Sequence, residues 1–129
     1  MSLERVATDK APAAIGPYSQ AIRANGFVFV SGQIPLDPSS GQIVGGGFTA
    51  QARRSLENLR QVLLASGAGL ETVVAVDVFV TDMGQFGAFN EVYEEFFSVH
   101  RPARAVVEVN GLPKGAMVEI KCVAALPPA

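Results

Sequence analysis

At 129 residues the chain has room for one domain, expected to span residues 1–129. Its 49% hydrophobic and 17% charged residues suffice for a core and exclude a disordered tail. Ten Lys and Arg against twelve Asp and Glu leave a net charge of −2, which argues against non-specific nucleic-acid binding, because that needs a basic footprint. A single cysteine, Cys122, and a single histidine, His100, exclude a disulfide within the chain and a structural zinc site of its own.

The amino terminus, Met1-Ser2-Leu3-Glu4-Arg5, carries no apolar signal core. The longest apolar run, Val73 to Val80, is broken by Asp77 and is too short to cross a bilayer. A cytoplasmic protein in a reducing compartment, with no membrane partner, is the expectation. A short strand near Leu3 to Ala7 is possible from composition. Gln20 to Ala24 and Phe27 to Ile34 flank Asn25-Gly26, a strong two-residue hairpin signal, and the second run stops at Pro35. Pro35 to Gly47 reads as a loop, and Gly45-Gly46-Gly47 lacks the residues of a phosphate loop or a dinucleotide fingerprint.

From Thr49 to Ser66 there is no Pro or Gly, and Phe48, Ala52, Leu56, Leu59 and Leu63 fall on one helical face. Gly67 is a suitable stop. Thr72 to Thr81 is a nearly continuous β-branched and apolar run, as in a central strand. Asp82 and Gln85 have capping-box spacing ahead of a second helix, whose stripe is Phe86, Phe89, Val92, Tyr93, Phe96 and Phe97. His100 reads as a solvated residue at that helix end, where its cation complements the dipole; Pro102 sets the latest possible stop. Ala103 to Asn110 and Met117 to Ala125 are two further strands. The order β-β-α-β-α-β-β predicts an α+β mixed sheet with two helices on one face. The other face is apolar, and a second subunit rather than water is expected against it.

Polar residues in those strands are the candidates for chemistry. Alternation sends Arg104, Val106 and Glu108 to one face of their strand, and Glu119 and Lys121 to one face of theirs. Two arrangements fit. One is an ion-paired strand face, Arg104 with Glu108 or Glu119 and Lys121 beside them. The other is a guanidinium left for a carboxylate ligand, with a glutamate nearby to handle a proton or a water. Ser31-Gly32 places a hydroxyl and a backbone N–H near a sheet rim, or is simply a strand terminus. Tyr18, after Gly16-Pro17, fits a rim aromatic; Asn90 alone reads as a solvated helix residue. Cys122, between Ile120 and Ala124, reads as a small buried apolar side chain.

Taken in order, Ala11 to Gln20, Ser31-Gly32-Gln33-Ile34-Pro35, Gln51 to Asn58, Val78 to Asp82, Phe89 to Tyr93, Pro102-Ala103-Arg104, Val107-Glu108-Val109, Leu112-Pro113 and Val118-Glu119-Ile120 resemble the RidA (YjgF, reactive intermediate deaminase) family over nearly the whole chain. The resemblance implies a chorismate-mutase-like fold, a homotrimer whose sheets form a central barrel, and sites in clefts between chains. It implies hydrolysis of 2-enamine and 2-imine carboxylates, such as 2-aminoacrylate and 2-aminocrotonate, to 2-keto acids and ammonia without cofactor or metal. It matches Arg104 to the residue binding the substrate carboxylate, Glu119 to the residue handling water, and Tyr18, Ser31, Gly32 and Asn90 to pocket residues. Val106 stands where some members have cysteine, and Ser98 to Pro102 is shorter than in some members. The competing expectation is a small-carboxylate binding or regulatory protein without turnover. Ribonuclease activity, reported for some relatives, fits poorly with the charge.

Overall fold

In the computed structural model, residues 2–128 are described. Eight elements build the architecture: β1 (Glu4–Val6), β2 (Ala21–Ala24), β3 (Phe27–Gln33), α1 (Gly47–Ala65), β4 (Val73–Val80), α2 (Phe86–Phe96), β5 (Ala103–Glu108) and β6 (Val118–Ala125). The strands form one mixed sheet in the order β1-β2-β3-β6-β4-β5; β4 and β5 are parallel and the other pairs antiparallel. This is the expected α+β arrangement, and the strand near the amino terminus is present as β1. Asn25 and Gly26 both have positive φ (54° and 83°), the conformation of a tight hairpin turn whose twist matches its strands.

Both helices lie on one face. α1 turns Phe48, Ala52, Leu56, Leu59, Val62 and Leu63 onto β3 and β6, where Val28, Val30, Val118, Ile120 and Ala124 are buried; Val76, Val78 and Val80 of β4 complete the layer. α2 contributes Phe89, Val92 and Tyr93. The opposite face is apolar and open in a single chain: Phe29 is 47% exposed, Val107 44% and Phe27 39%.

Two local expectations are corrected. Asp82 does not start a long helix through a capping box with Gln85. Its carboxylate accepts from the Gly84 N–H at 2.8 Å and caps a separate 3₁₀ turn, Met83–Gln85, after which α2 begins with no side-chain cap. Gly84 and Gly87 weaken helix propensity there, so the chain enters through a tighter turn. His100 is not at the end of α2 either. The helix stops at Phe96, and the turn that follows brings His100 Nε2 to 2.6 Å from the Val73 carbonyl. The ring tethers that turn to the start of β4 rather than complementing a helix dipole.

Candidate functional site

Strand register decides which polar side chains can meet. Arg104, Val106 and Glu108 of β5 stand opposite Val76, Val78 and Val80 of β4, on the helix-covered face. Glu119 and Lys121 of β6 stand opposite Phe79 and Asp77, on the open face. Successive side chains on β4 alternate. Arg104 and Glu119 of one chain therefore lie on opposite sides of the sheet, and an ion pair between them is excluded. Glu108 is engaged elsewhere: its carboxylate accepts from the Met83 N–H at 2.7 Å. Among the described residues the ion pairs are Arg23–Glu4, Arg53–Glu95, Arg60–Glu57 and Arg101–Glu94, and none uses Arg104. The ion-paired strand face expected as one alternative is absent.

Arg104 is exposed on the sheet edge. Its Nη1 donates to Asn90 Oδ1 at 2.8 Å, so Asn90 is not an idle solvated residue but a partner of the arginine. The guanidinium carbon lies 4.7 Å from the centre of the Tyr93 ring and 5.8 Å from that of Phe86. Arg104, Asn90 and Tyr93, with Arg101, Pro102 and Phe97, border a depression of about 300 Å³. Burial pushes the Tyr93 phenol up to about 12, against the pull of Arg104. Val106 shares the face of Arg104 but is half-buried against the core and does not border the depression.

The remaining residues gather around a second cavity of about 480 Å³, lined by Tyr18, Ser31, Gly32 and Glu119 with an apolar wall from Ile15, Ile34, Leu36 and Pro113. It is sited by a bulge. Val30 pairs with Cys122 and Gln33 with Ile120, so Ser31 and Gly32 together face the single residue between, and drop out of the ladder. The Ser31 hydroxyl donates to the Ser19 carbonyl at 2.6 Å, and its backbone N–H donates to the Gln20 carbonyl at 2.9 Å. The hydroxyl proton is thus committed, and lone pairs are what Ser31 offers a ligand. Gly32 is required by close approach: a Cβ there would meet the Glu119 side chain, with its carboxyl carbon at 2.8 Å. Burial raises the Glu119 pKa above its ordinary value, while Lys121 draws it back. Burial likewise pushes the Cys122 thiol up to about 12, as befits an inert core residue.

Buried amides that composition could not single out hold this cavity in shape. Gln20, 3% exposed, accepts from the Thr8 N–H at 2.7 Å and donates to the carbonyls of Thr8 and Pro12 at 3.0 and 2.7 Å, pinning the segment that carries Tyr18. Asn58 donates to the carbonyls of Ile34 and Leu36 at 3.2 and 3.0 Å. Gln51 accepts from the Met117 N–H at 2.8 Å. The only signal of Gln51 and Asn58 in the sequence is a polar residue on a helix face that is otherwise core; Gln20, just ahead of β2, has none. No group of three or more His, Cys, Asp or Glu among the described residues is arranged to hold a metal, and no helix is long and apolar enough to cross a membrane.

Residues 8–126 match the family model described as endoribonuclease L-PSP. A RutC family protein of Pyrococcus abyssi is 47% identical over 124 residues, covering 96% of this chain and 98% of that protein. The 2-iminobutanoate/2-iminopropanoate deaminase of Mus musculus is 47% identical over 119 residues, covering 92% and 88%. The structure of Escherichia coli TdcF with bound serine superposes with a TM-score of 0.91 at 39% identity, covering 96% of this chain and 99% of that one.

Proposed function

From the premise that the chain belongs to the endoribonuclease L-PSP family, also called YjgF or RidA, we propose that it hydrolyses small 2-imino and 2-enamine carboxylates to 2-keto acids and ammonia. The observation that carries this reading is an arginine on a sheet edge with no carboxylate partner among the described residues, backed by a neutral amide and aromatic rings. A guanidinium so held presents its remaining N–H fork to an organic acid. A relative named as an imino-acid deaminase and a relative binding serine, a small amino carboxylate, support the substrate class.

Because Arg104 and Glu119 lie on opposite faces of one sheet, the reading requires two copies per site, one supplying Arg104 and Asn90, the other Tyr18, Ser31, Gly32 and Glu119. A homotrimer joined through the apolar open faces provides three such clefts. The chemistry then balances simply. The enamine takes a proton at C3 to become the iminium, the imine protonated on nitrogen. Glu119 orients a water and takes its proton as oxygen adds to C2. Glu119 passes that proton to the carbinolamine nitrogen and takes the hydroxyl proton in its place as the C–N bond breaks, the C2–O bond becomes a carbonyl and ammonia leaves. Ser31 accepts from the imine N–H, and Tyr18 borders the pocket mouth. Arg104 holds the carboxylate throughout, so positioning lowers the barrier of a reaction that also proceeds in water.

The test couples the protein to a pyridoxal-phosphate-dependent threonine or serine dehydratase and follows imine decay. The parent should accelerate decay. Arg104→Lys should lose about tenfold or more in kcat/KM, since a point charge replaces a fork. Parent-like decay with a folded Arg104→Lys protein contradicts the assignment. A second reading, carboxylate binding without turnover, is favoured by the serine bound to the relative. It is separated by Glu119→Gln, which should bind 2-oxobutanoate yet lose turnover if the protein is an enzyme. RNA cleavage by the purified protein that survives loss of Arg104 would replace both readings.

A further inference from the structure

Arg104 is exposed on an edge strand, a position where a flexible side chain of this length loses considerable rotamer entropy on binding. Yet three contacts restrict it: Asn90 holds Nη1, the Tyr93 ring lies 4.7 Å from the guanidinium carbon, and Phe86 lies on it at 5.8 Å. Of these, Tyr93 is the fixed one. It is 9% exposed, stacked on Phe97 at 4.7 Å between ring centres and tilted against Phe89 at 5.5 Å. Phe86 is exposed and is the first residue of α2. Packing alone does not account for a tyrosine, because its hydroxyl is buried without a hydrogen-bond partner. Such an orphan costs stability, and a phenylalanine would avoid it.

The geometry points to Tyr93 as a positioning residue for the proposed reaction: its ring face, not its hydroxyl, holds the guanidinium of Arg104 flat and aimed before the substrate arrives. This rests on the reading of Arg104 as the carboxylate site. A cation over the face of an electron-rich ring is attracted by the ring quadrupole, and the planar guanidinium stacks while keeping its N–H edge free. The oxygen substituent enriches the ring even though it makes no hydrogen bond. A phenol held up at about 12 stays neutral at working pH, so the guanidinium faces a neutral ring and not a phenolate. Preorganisation of this kind lowers the entropy lost on binding, so its removal raises KM and the Kd of a product acid while leaving kcat little changed.

The experiment measures 2-oxobutanoate binding by calorimetry alongside imine turnover. Tyr93→Leu should weaken 2-oxobutanoate binding and raise KM by about tenfold. Tyr93→Phe keeps the face and should restore both to within about threefold of the parent, with equal or higher thermal stability. Arg104→Met combined with Tyr93→Leu should bind no worse than Arg104→Met alone, because the ring acts only through the arginine. A pentafluorophenylalanine placed at position 93 keeps the shape and reverses the quadrupole, and should weaken binding even if the leucine variant fails to fold. Parent-like binding by that fluorinated protein, a Tyr93→Phe protein as weak as Tyr93→Leu, or a full leucine effect in the Arg104→Met background would each overturn the proposal. Binding that follows these expectations in a parent without imine turnover overturns the deaminase reading and leaves the role of Tyr93 standing.

Discussion

Arg104 and Glu119 meet opposite physical problems. The arginine is exposed and must be kept from wandering; the glutamate is half-buried and must be kept charged. Since burial raises the Glu119 pKa, its ionised form is penalised in the folded state relative to the unfolded chain. Stability linked to this group is fully present below its unfolded pKa and is lost as pH rises through the folded one. Glu119→Gln should therefore be more stable than the parent at neutral pH, with the gap closing on acidification, as read from urea melts at a series of pH values. The same shift places the acid limb of the parent's kcat/KM above the ordinary glutamate value. Gly32→Ala tests the neighbouring contact. The added Cβ meets the far end of a flexible side chain, so the protein should fold with a loss of about 1 kcal/mol or less while the displaced carboxylate loses most of its turnover. Retained turnover would show that Glu119 need not sit against Gly32. The parity of Arg104 and Glu119 on their own strands was legible from alternation. Whether they share a face was not, because that depends on registers across β4 that no local pattern contains.

The elements followed from periodicity wherever one face is apolar. The Asn25-Gly26 hairpin, α1, β4 and the aromatic stripe of α2 were all legible. What escaped were features made by contacts distant in sequence. The bulge at Ser31-Gly32 exists only relative to β6, and the split entry to α2 reflects glycines outweighing a capping pattern. The buried amides on α1 are of the same kind. Asn58 carries the loop after β3 by donating to two of its main-chain carbonyls, that of Ile34 and the buried one of Leu36. Asn58→Ala should destabilise the fold by about 1–3 kcal/mol, the cost of orphaning the buried Leu36 carbonyl, in denaturant titrations. It should also loosen Ile34 and Leu36, which wall the cavity, so amide exchange of that loop should rise more than that of β6. Uniform exchange changes would argue that the loop does not depend on this clamp.

At the level of the whole molecule, one sheet carries the two proposed half-sites on opposite faces, together with an apolar face that no helix covers among the described residues. The exposed Phe27, Phe29 and Val107 spread across that face are a liability for a lone chain and a natural seam for an assembly. The proposed site follows from joining copies there. The most direct measurement mixes an inactive Arg104→Ala protein with an inactive Glu119→Ala protein, dissociates and reassembles them together, and assays imine decay. Activity should return to about a quarter of the parent, because about one cleft in four pairs an intact arginine from one copy with an intact glutamate from another. A reassembled mixture with no activity, in a sample shown to contain mixed oligomers, would contradict a catalytic site shared between copies.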